Sequence, residues 1–177
     1  MNISKTPIEG VYEVDLTGIS DERGSFARLF CSQTLEKIIG KKKIVQINQS
    51  NNNLAGTVRG MHYQIDPAAE MKLIKCVVGS IFDVVVDLRK NSDTFLKYHA
   101  VNLSESNNKM IVIPEGCAHG FQALQNNSSL IYFHTNFYNQ ECERGIRYDE
   151  PLVGINWPLP AINLSSRDEN FENIKNL

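Results

Sequence analysis

Between Thr57 and Cys76 the chain reads TVRGMHYQIDPAAEMKLIKC, placing an arginine, a histidine and a lysine within two short apolar runs. Side chains of a strand alternate between its faces, so Val58, Gly60, His62 and Gln64 are expected on one side and Arg59, Met61 and Tyr63 on the other. In the second run Lys72, Ile74 and Cys76 share a face. An unpaired ammonium among apolar groups is costly to desolvate, so two polar intrusions of this kind point to a pocket rather than a packed interior. His62 is then a base, because histidine is the residue type whose charge changes near neutral pH. Lys72 suits the stabilisation of negative charge on a carbonyl oxygen. Further along, Tyr132 lies in phase with Leu130 and His134 and is a proton donor for the far side of a substrate. Arg23, Arg59 and His119 are available for an anionic group such as a diphosphate. The set describes removal and return of a proton beside a ketone. A base histidine also needs an orienting carboxylate, for which Asp83 and Asp168 are the candidates.

Metal chemistry is disfavoured. His62-Tyr63-Gln64 stands where a metal-binding jelly roll would carry H-x-H, and PEGCAHGF supplies only His119. Cys31, Cys76, Cys117 and Cys142 are scattered without a CxxC pair, which argues for reduced thiols and against zinc.

With 177 residues, 42% of them hydrophobic and 21% charged, the chain has the length and composition of a single domain, 1–177. A net charge of −2 offers no general attraction for nucleic acid or anionic membrane, and Lys41 to Lys43 is short enough to be a solvated face. The N-terminus lacks an apolar leader, and no run approaches the ~18 apolar residues of a membrane span, so a cytoplasmic protein is expected.

Positioning these groups falls to strands. Gly10 to Leu16 alternates, DERG at Asp21 to Gly24 reads as a turn, and Ser25 to Cys31 is a second strand. Ser32 is expected to cap a helix running to Ile39 and closed by Gly40. Eight strands follow, at Ile44–Ser50, Thr57–Gln64, Met71–Val78, Ser80–Leu88, Tyr98–Leu103, Met110–Ile113, Gly120–Leu124 and Leu130–Thr135. Polar or glycine-containing turns separate them, and Ser165 or Ser166 starts a terminal helical segment within Asn163–Leu177. Many short strands without intervening helices predict an all-β sandwich or double-stranded β-helix of the jelly-roll kind. If the in-phase polar residues face inward, Asn48, His62, Lys72, Asp83 and Tyr132 line its interior.

The motifs DERGSFARLF, QINQS, TVRGMHYQ, MKLIKCVVGSIFDVVVDLRKNSDTF, IPEGCAHGFQAL, RYDEPLVGINWPLP and LSSRDEN, in this order and spacing, resemble the dTDP-4-dehydrorhamnose 3,5-epimerase family. The match runs from about Gly10 to Asp168, most of the chain. The resemblance implies a cupin-like jelly-roll homodimer without metal or organic cofactor, acting on a nucleoside-diphosphate 4-keto-6-deoxy sugar for surface polysaccharide such as lipopolysaccharide. It assigns His62 as base, Asp168 as its carboxylate partner, Tyr132 as general acid and Lys72 as the group holding the enolate charge. It also implies diphosphate contacts from Arg23, Arg59 and His119, and places Gln46, Asn48, Arg28, Tyr138 and Glu143 in the substrate site.

Two positions depart from the family pattern: Arg28 stands where rhamnose-pathway members carry glutamate, and Gln49 where a histidine is usual. Replacing an acceptor by a cation changes what the nucleotide site reads, so CDP- or GDP-linked sugars stand beside dTDP. The alternative readings are a cupin 3,4-ketoisomerase and a non-catalytic sugar-binding cupin.

Overall fold

A computed structural model describes residues 1–174; the last three positions of the expected domain and of its terminal segment lie outside the described residues. The strands are β1 (Asn2–Lys5), β2 (Tyr12–Asp15), β3 (Gly18–Asp21), β4 (Gly24–Ala27), β5 (Gln46–Asn52), β6 (Val58–Gln64) and β7 (Lys72–Val78). They continue with β8 (Ser80–Asp87), β9 (Tyr98–Ser104), β10 (Lys109–Ile113), β11 (Cys117–Ala123), β12 (Ser128–His134) and β13 (Glu143–Gly145). The helices are α1 (Ser32–Ile39) and α2 (Ser166–Glu169). One antiparallel sheet has the order β1-β2-β10-β7-β12-β5, the other β13-β6-β11-β8-β9, and β3–β4 forms a separate hairpin. The expected jelly roll is thus realised as two facing sheets.

Period-two patterning decides which way each strand faces. Ile81, Val85, Leu130, Ile74, Cys76, Cys117 and Phe121 meet between the sheets in a dry core, with Tyr132 packed against its edge. The intervening residues face outward. On the first sheet Leu73, Met110, Val112 and Phe133 are covered by Leu35 and Ile39 of α1. On the second, Met61, Val84, Val86 and Ala118 lie beneath Ile146 and a return segment containing Val153, Ile155 and Trp157. The Trp157 indole N–H donates to the Tyr148 carbonyl at 2.9 Å, which ties that segment to itself.

Several boundaries differ from the sequence expectations. Ser32 is the first helical residue, and the cap is Cys31, extended at φ −148° and making no side-chain cap bond; its carbonyl accepts from Leu35 N–H at 3.0 Å. The second strand ends at Ala27 rather than Cys31, because Leu29 and Phe30 turn inward onto the α1 cluster. β1, β3 and β13 are too short to show alternation, and the sequence did not announce them.

The alternation also fails inside β6. His62 pairs with His119 and Arg59 with Phe121, so three steps along β6 match two along β11. The extra residue is a bulge, and it brings Arg59 onto the inner face beside His62 while Met61 stays in the outer cluster. Strict alternation had put Arg59 with Met61. Gly120 permits the close approach: a Cβ there would lie 2.8 Å from the Arg59 carbonyl and 2.5 Å from Met61 Sδ. Among the described residues no helix is long and apolar enough to cross a membrane.

Candidate active site

At one end of the core the sheets part around a cavity of about 660 Å³. His62 enters from β6 on one wall and Tyr132 from β12 on the other; Lys72, from β7, lies on the Tyr132 wall. Asp168 comes from α2, far along the chain. Ser165 caps α2 by accepting from the Asp168 N–H at 3.1 Å, and this places the carboxylate under β6. Asp168 Oδ1 lies 2.7 Å from His62 Nε2, and Oδ2 accepts from Gly60 N–H at 3.2 Å. Burial pushes the Asp168 carboxyl up, but these hydrogen bonds outweigh it and hold the group below the usual carboxylate range. The dyad leaves the other ring nitrogen of His62 to accept a proton, and Phe171 packs edge-on against the ring at 5.8 Å.

Tyr132 is wedged between His119 and His134, with ring centroids 5.9 and 6.0 Å away. Burial, with the Asp83 carboxylate adding to it, pushes its phenol well above the ordinary tyrosine range. A phenol so shifted stays protonated and can donate. Asp83 faces inward on β8, accepts from His119 Nε2 at 2.8 Å, and has its second oxygen buried without a partner. Of the two carboxylates considered for the base, Asp168 is therefore the one that meets His62. Lys72 Nζ donates to the His62 carbonyl at 3.3 Å and lies 3.5 Å from Glu70 Oε1. Burial pulls its ammonium below the usual lysine range, and Glu70 opposes that pull.

Asn48, Arg59, His119, Tyr138 and Glu143 line the same cavity. Arg59 Nε donates to Asn52 Oδ1 at 2.8 Å, which lays the guanidinium along β5. Tyr138 Oη donates to Glu143 Oε2 at 2.9 Å, and Arg167 Nη1 donates to the same oxygen at 2.6 Å, closing one rim. Gln46 is not a lining residue; its Oε1 accepts from Tyr138 N–H at 3.1 Å and positions that loop. Arg23 and Arg28 lie away from the cavity. Arg23 sits at the hairpin tip, its side chain 84% exposed and paired with Asp21.

Sequence reasoning passed over Glu70, His134 and Arg167. The signal for the first two was strand phase: Glu70 precedes Lys72 by two residues, and His134 follows Tyr132 by two. Arg167 had only its place beside Asp168.

A jelly roll whose cleft holds a histidine–carboxylate dyad facing a buried tyrosine, with a lysine on the tyrosine's wall, belongs to the class of proteins equipped for proton transfer at carbon. Comparison with known proteins narrows the class. A family model described as dTDP-4-dehydrorhamnose 3,5-epimerase matches residues 5–176, and the chain belongs to that family. The dTDP-4-dehydrorhamnose 3,5-epimerase of Shigella flexneri is 43% identical over 171 residues, covering 96% of this chain and 94% of that one. The dTDP-6-deoxy-D-glucose-3,5-epimerase of Legionella pneumophila, solved in complex with dTDP-4-keto-L-rhamnose, superposes with a TM-score of 0.92 at 35% identity. That likeness covers 97% of this chain and 92% of the Legionella chain. The Bacillus anthracis dTDP-4-dehydrorhamnose 3,5-epimerase, with TDP and PPi bound, gives 0.94 at 31% identity, covering 98% and 99%.

Proposed function

We propose that the protein epimerises a dTDP-linked 4-keto-6-deoxy sugar, inverting C5 and C3, in the supply of a surface polysaccharide precursor. The observation that carries this reading is the dyad on one wall and the protonated Tyr132 on the opposite one. The C4 ketone acidifies the hydrogens at C3 and C5. His62 takes one as a proton, and the C–H electron pair moves to the C4 oxygen as an enolate, which the Lys72 ammonium stabilises. Tyr132 returns a proton to the other face, the ketone re-forms, and the carbon is inverted. His62 and the tyrosinate then re-equilibrate their protons with water. The ketone stays at C4 throughout, which separates this chemistry from a 3,4-ketoisomerase. Arg59, with His119 beside it, supplies the wall for the diphosphate, and Tyr138, Glu143 and Asn48 the remaining contacts. The four cysteines are free of disulfides, which supports a reducing, cytoplasmic setting.

The test is a panel of dTDP-, CDP-, GDP- and UDP-linked 4-keto-6-deoxy sugars incubated in deuterated water. Deuterium at C5 and at C3 is expected with the dTDP sugar, with the ketone still at C4 by NMR. Binding without exchange across the panel would overturn the assignment in favour of a sugar-binding protein.

The working unit is a homodimer in this proposal. Among the described residues β5 ends its sheet with an open edge at the lip of the cleft, and Ile47 on it is 60% exposed. The β3–β4 hairpin stands free with Ile19 and Phe26 exposed at 76% and 73%. An open edge invites a strand from another chain, and a hairpin from a second copy laid there would carry Arg23 and Arg28 to the mouth of the site. Light scattering should give twice 20.0 kDa. Mixing Arg23→Ala with His62→Ala protein should then restore activity, since the hybrid holds one intact site. No recovery from preformed hybrids would show that Arg23 serves its own chain.

A further inference from the structure

The proposed mechanism leaves one buried carboxylate of the cleft without a task. Glu70 precedes β7 and is nearly inaccessible, yet it borders the cavity. Its Oε2 lies 2.7 Å from His134 Nδ1 and its Oε1 3.5 Å from Lys72 Nζ. With the ring hydrogen of His134 on Nδ1, donated to Glu70, Nε2 is an acceptor, and the Asn48 amide donates to it at 3.3 Å. Strand pairing holds this line together: His134 lies opposite Lys72 on one side and Gln46 on the other, and Tyr132 lies opposite Asn48. Asn48, His134, Glu70 and Lys72 thus form a continuous polar file along one wall. It ends where Lys72 crosses to the His62 carbonyl.

We propose that Glu70 is a positioning residue, which holds the Lys72 ammonium where the enolate oxygen forms and, through His134, turns Asn48 towards the substrate. The proposal rests on the function assigned above. The alternative, a purely structural ion pair, leaves unexplained why one carboxylate spans two groups of the reaction wall. Its electrostatic content is simple. A buried lysine loses its proton more readily than an exposed one, and a neutral amine cannot hold an oxyanion. The charged and titratable groups facing Lys72 are Glu70 beside it, Glu143 on β13, His134 on β12 and His62 on β6. Of these, Glu70 is the carboxylate close enough to pair with Lys72 directly. Glu143 acts on it only through space, and it already pairs with Arg167.

Glu70→Gln keeps the shape and an oxygen for His134 but removes the charge. In protein labelled with [13Cε]lysine, with the resonance identified by its loss in Lys72→Met, the Lys72 midpoint should fall by about one unit in Glu70→Gln. The ratio of variant to native kcat on the dTDP sugar should then be about tenfold low on the alkaline side and return towards one as the pH is lowered. A structural role would lower kcat equally at every pH. Glu70→Leu, which also releases His134, should raise KM beyond Glu70→Gln; equal KM values would remove Asn48 from the proposal. An unchanged Lys72 midpoint would overturn the rest. Because the titration needs no turnover, failure of the epimerase reading shows in the substrate panel alone, and failure of the Glu70 proposal shows in the titration.

Discussion

Replacing His62 by alanine should abolish deuterium entry at C5 of the dTDP sugar, with kcat lowered by about 10³-fold, the scale of a lost general base. The expectation rests on the absence of a substitute. His119 and His134 border the same cavity, but His134 is on the opposite sheet with both ring nitrogens engaged, by Glu70 and by the Asn48 amide. His119 lies directly across from His62 in the β11–β6 pairing, on the wall assigned to the diphosphate. His62 is half-buried beside open cleft, so its removal opens no sealed void in the core. Thermal unfolding should therefore be nearly unchanged, and nucleotide binding retained. Rapid C5 exchange in His62→Ala protein would show that another group is the base.

Tyr132→Phe should separate exchange from inversion. Only the hydroxyl is lost, and the ring keeps its contacts with His119 and His134. His62 can still withdraw the C5 proton and return a deuteron to the face it came from, so substrate should gain label without changing configuration. Formation of the inverted product should fall by about 10²- to 10³-fold, as for loss of a general acid. In the native protein the Tyr132 phenol titrates far above the ordinary range, because burial and Asp83 both disfavour the phenolate. Sign follows directly: a raised pKa keeps the donor protonated through the neutral and mildly alkaline range. An alkaline loss of activity must therefore come from another group, and Lys72, whose ammonium is pulled down by burial, is placed to cause it. Inverted product made by Tyr132→Phe at the native rate would remove Tyr132 from the acid role.

How much of this was legible in the chain depends on how far each interaction reaches. The inward phase of Lys72, Asp83 and Tyr132 followed from alternation, a property of neighbouring residues, and the clusters between and outside the sheets obey it. Arg59 broke the rule because a bulge inserts one residue between it and His62, and a bulge is a feature of the pairing with β11 rather than of β6 alone. The His62–Asp168 contact spans 106 residues, and residue types narrowed its carboxylate only to Asp83 or Asp168; family resemblance chose between them. Glu70 and His134 were visible as strand phase yet carried no motif. Arg23 was named as a cation for an anionic group and Arg28 from the resemblance, but the hairpin and the residue after it face solvent in a single chain.

The tail that carries Asp168 is tied to the strands by bonds that include Ile162 N–H to the Gly56 carbonyl at 3.0 Å, Val58 N–H to the Ile162 carbonyl at 3.2 Å, a reciprocal pair between Gln122 and Leu159 at 2.8 and 2.9 Å, and Arg167 to Glu143 at 2.6 Å. Every other wall of the cleft is in place once β13 has been made. The two halves of the dyad thus come from β6 and from a segment 106 residues further along. Loosening that tail alone would leave the strand walls of the cleft standing and His62 without its carboxylate.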